Sequence, residues 1–169
     1  MKFLSFFRRQ PVRASTDSDA IASLALGLGD LPPDRARFIA GFALLLSRIA
    51  AADHDVTAEE AATLERLVRD KAGLPPDQAA LVVDRARTHQ QRHGGTDDFL
   101  VTRELTDRLS YEEKVAILEC LIAVAAADER IRAQESNEIG RIANELRIEH
   151  KDVVRIRHQY RDRLAALNP

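Results

Sequence analysis

A chain of 169 residues is the size of one ordinary domain and can bury about 70% of its unfolded surface in a core without staples. Apolar residues make up 45%, mostly Ala and Leu, with no Trp, 7 Gly and 6 Pro, an all-helical composition. The net charge of -2 excludes a strong general pull toward nucleic acid, the single Cys120 excludes an internal disulfide, and no stretch approaches the ~20 apolar residues of a membrane span.

Residues 1–16 are expected to form a flexible tail. They hold Lys2, Arg8, Arg9 and Arg13, no acid, and the apolar group Phe3, Leu4, Phe6 and Phe7. The aromatics either dock on the domain or give a weak membrane association, with Phe3, Phe6 and Phe7 among headgroups and Arg8 and Arg9 on anionic lipid. The run is too short for a secretory leader, and its basic residues follow rather than precede it. One helical domain then spans 17–169.

A short helix is predicted over Asp17 to Leu28, ended by Gly29. Leu31-Pro-Pro-Asp34 marks the next helix start, with proline where its missing N–H costs nothing. Phe38, Phe42, Leu45, Ile49 and Ala52 follow as one apolar stripe. Thr57-x-x-Glu60 is a capping box that opens a helix to about Lys71, stopped at Gly73. Leu74-Pro-Pro-Asp77 starts another, to about Gln91, and Gly94-Gly95 breaks it. A linking helix from about Asp97 to Leu109 leads to a second capping box, Ser110-x-x-Glu113. Val115, Leu118, Leu121, Ile122 and Ala125 form its stripe. Two further helices are predicted, at about 132–146 and 151–167.

The chain repeats itself. Ile49-Ala-Ala-Ala-Asp53 and its turn to Glu60 return 75 residues later as Val124-Ala-Ala-Ala-Asp128 and its turn to Glu135. The fold class predicted is all-α: a single-domain bundle of two pseudo-symmetric three-helix halves (about 34–92 and 110–167), plus a short N-terminal helix and a linking helix. Asp is electrostatically unfavourable at a helix C-terminus, so its presence in both copies points to a turn role or a bound cation.

The acids Asp53, Asp55, Glu59 and Glu60 fall within eight residues, and oxygen-rich clusters suit Ca²⁺ or Mg²⁺. Asp128 and Glu135 are their counterparts, but Arg130 and Arg132 stand beside them. The candidate metal ligands are therefore Asp53, Asp55, Glu59, Glu60, Asp128 and Glu135. The bland alternative is local: Asp53 folds its turn, Glu60 completes a cap and Glu59 is solvated. The spacing is not that of an EF-hand, because no glycine falls at the sixth position and Leu64 stands where the bidentate Glu belongs.

His89 and His93, at i and i+4, could face one zinc ion, but no third ligand is evident in the sequence. No Glu-x-x-His, phosphate loop or nucleophile elbow occurs, so no catalytic residue is assigned. Cys120 reads as a small core residue. The basic residues of the last helix, Lys151, Arg155, Arg157, Arg161 and Arg163, read as a solvated face among Asp152 and Asp162.

The twofold motif resembles the TerB-like tellurite-resistance family. A helix ending in Ala-x-Ala-Asp is followed by an aliphatic residue three positions on and a Glu seven positions on. These are Asp53, Val56 and Glu60, then Asp128, Ile131 and Glu135. Leu109-Ser-Tyr-Glu-Glu also looks like that family, and the resemblance covers about residues 34–163. It implies an all-helical bundle of bacterial origin, associated with tellurite and other chemical stress, with a metal-binding acidic surface. A related domain precedes the J domain of a membrane-anchored co-chaperone, but this chain has no His-Pro-Asp tripeptide. Where the family usually has glycine after the Asp, this chain has His54 and Glu129. The expected function is a cytoplasmic, non-enzymatic interaction module with a protein partner, peripheral at the inner membrane if the tail binds lipid. The rivals are a metal-dependent enzyme or metal-sequestering protein built on the Asp53 cluster, and a peripheral membrane adaptor.

Overall fold

The computed structural model describes residues 18–52, 57–126 and 133–167, with side chains as far as residue 161. It is all-α: α1 (Asp19–Leu26), α2 (Pro33–Ala50), α3 (Ala58–Ala72), α4 (Pro76–His93), α5 (Asp98–Arg108), α6 (Tyr111–Ala125), α7 (Ala133–Glu145) and α8 (His150–Leu167), with no strand among the described residues. The tail residues, Asp53 to Val56 and Ala127 to Arg132 lie outside the described residues.

The start and stop signals act as their chemistry dictates. Pro33 and Pro76 occupy the first turns of α2 and α4. Both capping boxes form: the Thr57 N–H donates to Glu60 Oε2 at 2.8 Å and the Glu60 N–H to Thr57 Oγ1 at 3.1 Å, with Ser110 and Glu113 paired likewise ahead of α6. Gly73 closes α3 in the left-handed region, φ 62. After α7 that conformation falls on Arg147, φ 58, beside Lys114. The predicted α1 ended at Gly29, but the helix stops at Leu26 with Gly27 at its cap.

The predicted single stripe on α2 is the main departure. Every residue from Phe38 to Ala50 is buried, so α2 is enclosed on all sides by α1, α3, α4, α5, α6 and α7. Close approach is possible because α2 carries Gly41 where α1 and α5 press in. A Cβ there would lie 2.8 Å from Leu105 Cδ2 and 3.2 Å from Ile21 Cδ1. Around this axis Ile39, Phe42, Leu45, Leu46 and Ile49 meet Leu64, Ile117, Leu118, Leu121, Ile122, Ile139 and Ile142 in one continuous core. Cys120 belongs to that core, and burial pushes its thiol up to about 11.

Shifted by 75 residues, the spans of α2, α3 and α4 fall on those of α6, α7 and α8. The two sets pack differently. α3 lies along α4, whereas the described parts of α7 and α8 barely meet and are joined by Arg157 Nη2 donating to Ser136 O at 2.9 Å.

Two substitutions test this packing in opposite directions. Gly41→Ala gains about 1 kcal/mol of helix propensity but overpacks buried Leu105 and Ile21 at roughly 1–3 kcal/mol, so the urea midpoint should fall with an unchanged slope. Arg147→Gly removes a left-handed non-glycine residue costing about 1–2 kcal/mol, and less than that after the entropy of the unfolded glycine, so the midpoint should rise.

Candidate functional site

The helix ends that flank the two repeated turns come together through charge. Arg48 sits in the last turn of α2, where a cation is favoured by the helix dipole, and is 4% exposed. A buried guanidinium must be paired. Arg48 Nε contacts Glu138 Oε1 of α7 and lies 3.3 Å from Asp98 Oδ2 of α5. Its Nη1 and Nη2 donate to the two oxygens of Glu145 at 2.9 and 3.2 Å. Thr102 Oγ1 donates to Glu145 Oε2 at 2.8 Å, and Thr106 Oγ1 reaches Glu145 O at 3.2 Å. Thus α2, α5 and α7 meet at one polar knot just inside the turn that begins at Ala51.

The carboxylates of this knot differ in character. Burial alone would raise the Glu145 pKa, but hydrogen bonds from Arg48 and Thr102 and the Arg48 charge overcome it, and the pKa is lowered. For Asp98 burial prevails over Arg48 and over the Gly95 N–H, so the pKa is raised. Arg48 itself is raised: its desolvation is outweighed by Glu145, Asp98 and Glu138. A second buried acid, Glu104 of α5, accepts from the Ser18 N–H at 2.7 Å and from Arg37 at 2.7 and 2.8 Å. It fastens the start of α1 to α2.

Of the predicted metal ligands, Asp53, Asp55 and Asp128 lie outside the described residues. Glu59 is exposed in the first turn of α3. Glu60 is 3% exposed and commits one oxygen to the Thr57 N–H. Glu135 is 4% exposed in the first turn of α7, the place Glu60 holds in α3. Of the six, only Glu59, Glu60 and Glu135 are among the described residues, and among those residues no group of three His, Cys, Asp or Glu is arranged to hold a metal ion.

His89 and His93 do share a face, with ring centroids 5.1 Å apart. Burial and the neighbouring His93 lower the His89 pKa against the pull of Asp97. Both line a shallow open depression of about 390 Å³ between α1 and α4. Of the basic residues of α8, Lys151, Arg155 and Arg161 are exposed, with Arg155 paired to Asp152 at 3.1 Å and Lys151 to Glu149 at 2.6 Å, whereas Arg157 is half-buried against α7.

Sequence reasoning missed the Arg48 knot. Its signal was a lone arginine inside Leu44-Leu45-Leu46-Ser47-Arg48-Ile49, followed far along the chain by Glu138 and Glu145, two turns apart on one helix face.

Residues 39–158 match the family described as Tellurite resistance protein TerB. The chain belongs to the TerB family. The match takes in both copies of the Asp-turn-Glu motif and every helix from α3 to α7, together with parts of α2 and α8. Comparison with curated proteins and with solved structures gives no match. No helix among the described residues is long and apolar enough to cross a membrane.

The charge knot has a pH signature. Because the Glu145 pKa is lowered on folding, its contribution is complete above the unfolded value near 4.5 and is lost as pH falls through the folded value. Asp98, with a raised pKa, has the opposite sign, stabilising below its unfolded value and losing this as pH rises. Glu145→Gln should lower stability at pH 7 by about 1.5–3 kcal/mol, the worth of hydrogen bonds to a charged group. It should also flatten the fall in stability between about pH 5 and 3, measured by urea unfolding.

Proposed function

We propose that this TerB-family chain is a cytoplasmic, non-enzymatic interaction module of a bacterial stress response, which docks a protein partner at its acidic inter-helix turns and binds a divalent cation weakly there. The observation that carries the reading is the family match over residues 39–158, which spans both turns.

The chemistry of the residues supports the cation being weak. At the first turn Asp53, Asp55 and Glu59 supply carboxylates, and Glu60 has given one oxygen to its cap. That falls short of the 6–8 oxygens that calcium gathers, so water must complete the shell. At the second turn Asp128 and Glu135 stand among Arg130 and Arg132, which oppose a cation. The first turn is thus the better cation site. The pairing of Arg48 with Glu138 holds the last turn of α2 to the second turn of α7, so one partner can meet both motif copies.

Two measurements test this. Calorimetric titration with Ca²⁺ and Mg²⁺ should give a dissociation constant of roughly 0.1–1 mM, the weak end of oxygen-ligand sites, lost in the Asp53→Asn/Asp55→Asn double variant. Deleting the gene should lower tolerance to tellurite, with recovery by the native chain and not by the double variant. Unaltered tellurite tolerance on deletion would remove the stress-response reading, and calcium binding that ignores both substitutions would remove the site.

A further inference from the structure

Three carboxylates from two helices converge on the one guanidinium of Arg48. Glu145 takes Nη1 and Nη2. The other two both address Nε, which carries a single hydrogen: Asp98 Oδ2 of α5 at 3.3 Å, and Glu138 Oε1 of α7. One N–H cannot satisfy two carboxylates, and two carboxylates drawn to one donor repel each other when both are ionised. Their side chains are only 20% and 15% exposed, so water weakens that repulsion less than it would at the surface.

The surrounding charges do not remove the conflict. On α7, Arg141 Nη1 lies 3.3 Å from Glu138 Oε2, from a side chain that is itself 67% exposed. With Arg48 and Arg141 set against Asp98, Glu138 and Glu145, the cluster still has one carboxylate more than it has cations. From α4, Gln90 hydrogen-bonds Asp98 and His89 faces it, but burial lowers the His89 pKa and keeps the ring neutral at pH 7. Asp97, 3.4 Å from His89, adds a further negative charge beside Asp98. At the reversal after α4, the Gly95 N–H donates to Asp98 Oδ2 at 3.1 Å.

We propose that Asp98 and Glu138 form a proton-operated tie between α5 and α7. With one proton between them, the start of α5 and its glycine reversal are hydrogen-bonded to α7. With both ionised, the two helices are joined here through Arg48 alone. Asp98 Oδ2 is engaged by Arg48 and Gly95, so the proton rides on Oδ1 and is donated to Glu138, which keeps the Arg48 Nε–H. Burial and the Glu138 charge favour this form against the pull of Arg48, while Glu145 stays ionised and keeps its grip. Glu138 lies one helical turn beyond Glu135, so the tie governs how firmly α7 is held just after the second acidic turn. It does not depend on what the turns bind.

The sign follows from linkage. A carboxyl whose pKa is raised in the tied form favours that form at low pH and loses the effect as pH rises. The test is NMR of the full chain, with side-chain carboxyl carbons followed from pH 8 to 3. Amide hydrogen exchange, corrected for its intrinsic rate, is followed from pH 7 to 4.5, above the range in which Glu145 loses its own contribution. Asp98 should take up its proton at least about one pH unit above the ordinary value near 3.9, with the Glu138 signal shifting in the same step. Protection of the Gly95 amide and of amides in the first two turns of α7 should rise as that proton enters, by up to about tenfold for each pH unit of elevation. Asp98→Asn and Glu138→Gln should each make this protection independent of pH, whereas Asp97→Asn and His89→Gln should leave the step in place. An Asp98 carboxyl titrating at its ordinary value in the native chain, or protection unchanged between pH 7 and 4.5, would overturn the proposal. So would a step that survives Asp98→Asn and vanishes in His89→Gln, which would assign the response to the imidazole.

Discussion

The structure depends on burying one guanidinium inside a helix that is otherwise wrapped in hydrocarbon. With Phe38 to Ala50 all enclosed, α2 has no solvent face on which Arg48 could lie. An unpaired charge there would cost several kcal/mol, so carboxylates must be delivered to it from neighbouring helices. Asp98 arrives from α5, and Glu138 and Glu145 from α7. Apolar packing alone is tolerant of sliding and rotation. The bidentate pairing of Arg48 with Glu145, held further by Thr102, fastens α7 to α2 and α5 by directional bonds.

Glu104 applies the same rule at the other end of α5. It is nearly inaccessible, and it is satisfied by Arg37 of α2 and by the Ser18 N–H that precedes α1. The linking helix α5 is therefore more than a connection between halves. It carries the acid that anchors α1 and the acid and threonine that complete the Arg48 knot. Gly41 makes this possible sterically, since it lets Leu105 of α5 sit directly on the α2 backbone.

The helix ends around the repeated turns inherit this rigidity. Arg48 stands just before the first turn, and Glu138 lies shortly after the second, so their contact ties one copy of the motif to the other. Glu60 and Glu135 are both buried at the first turns of their helices. For Glu60 the reason is visible in the capping box with Thr57. The described helix ends are thus held by the Arg48 ion pairs as well as by the hydrocarbon core.

Local chemistry was legible in the sequence. Helix starts at Pro33, Thr57, Pro76 and Ser110 and the stop at Gly73 follow from which backbone N–H groups need partners and which residues accept a left-handed φ. The family was legible too, because its motif is a short run of adjacent residues read twice. The total enclosure of α2 was not, since an Ala- and Leu-rich helix shows a usable stripe whether one face or every face is covered. The end of α1 at Leu26 rather than at Gly29 was not either, because α1 breaks where Gly27 admits Arg85 from α4. The same holds for Arg48, Glu145, Asp97 and His89: each partner lies on a different helix or across a turn. The sequence by itself determined the elements and the kinship, whose causes lie within a few residues of one another. Only tertiary structure decided which charges met, because ion pairing depends on distance in space and not on separation along the chain.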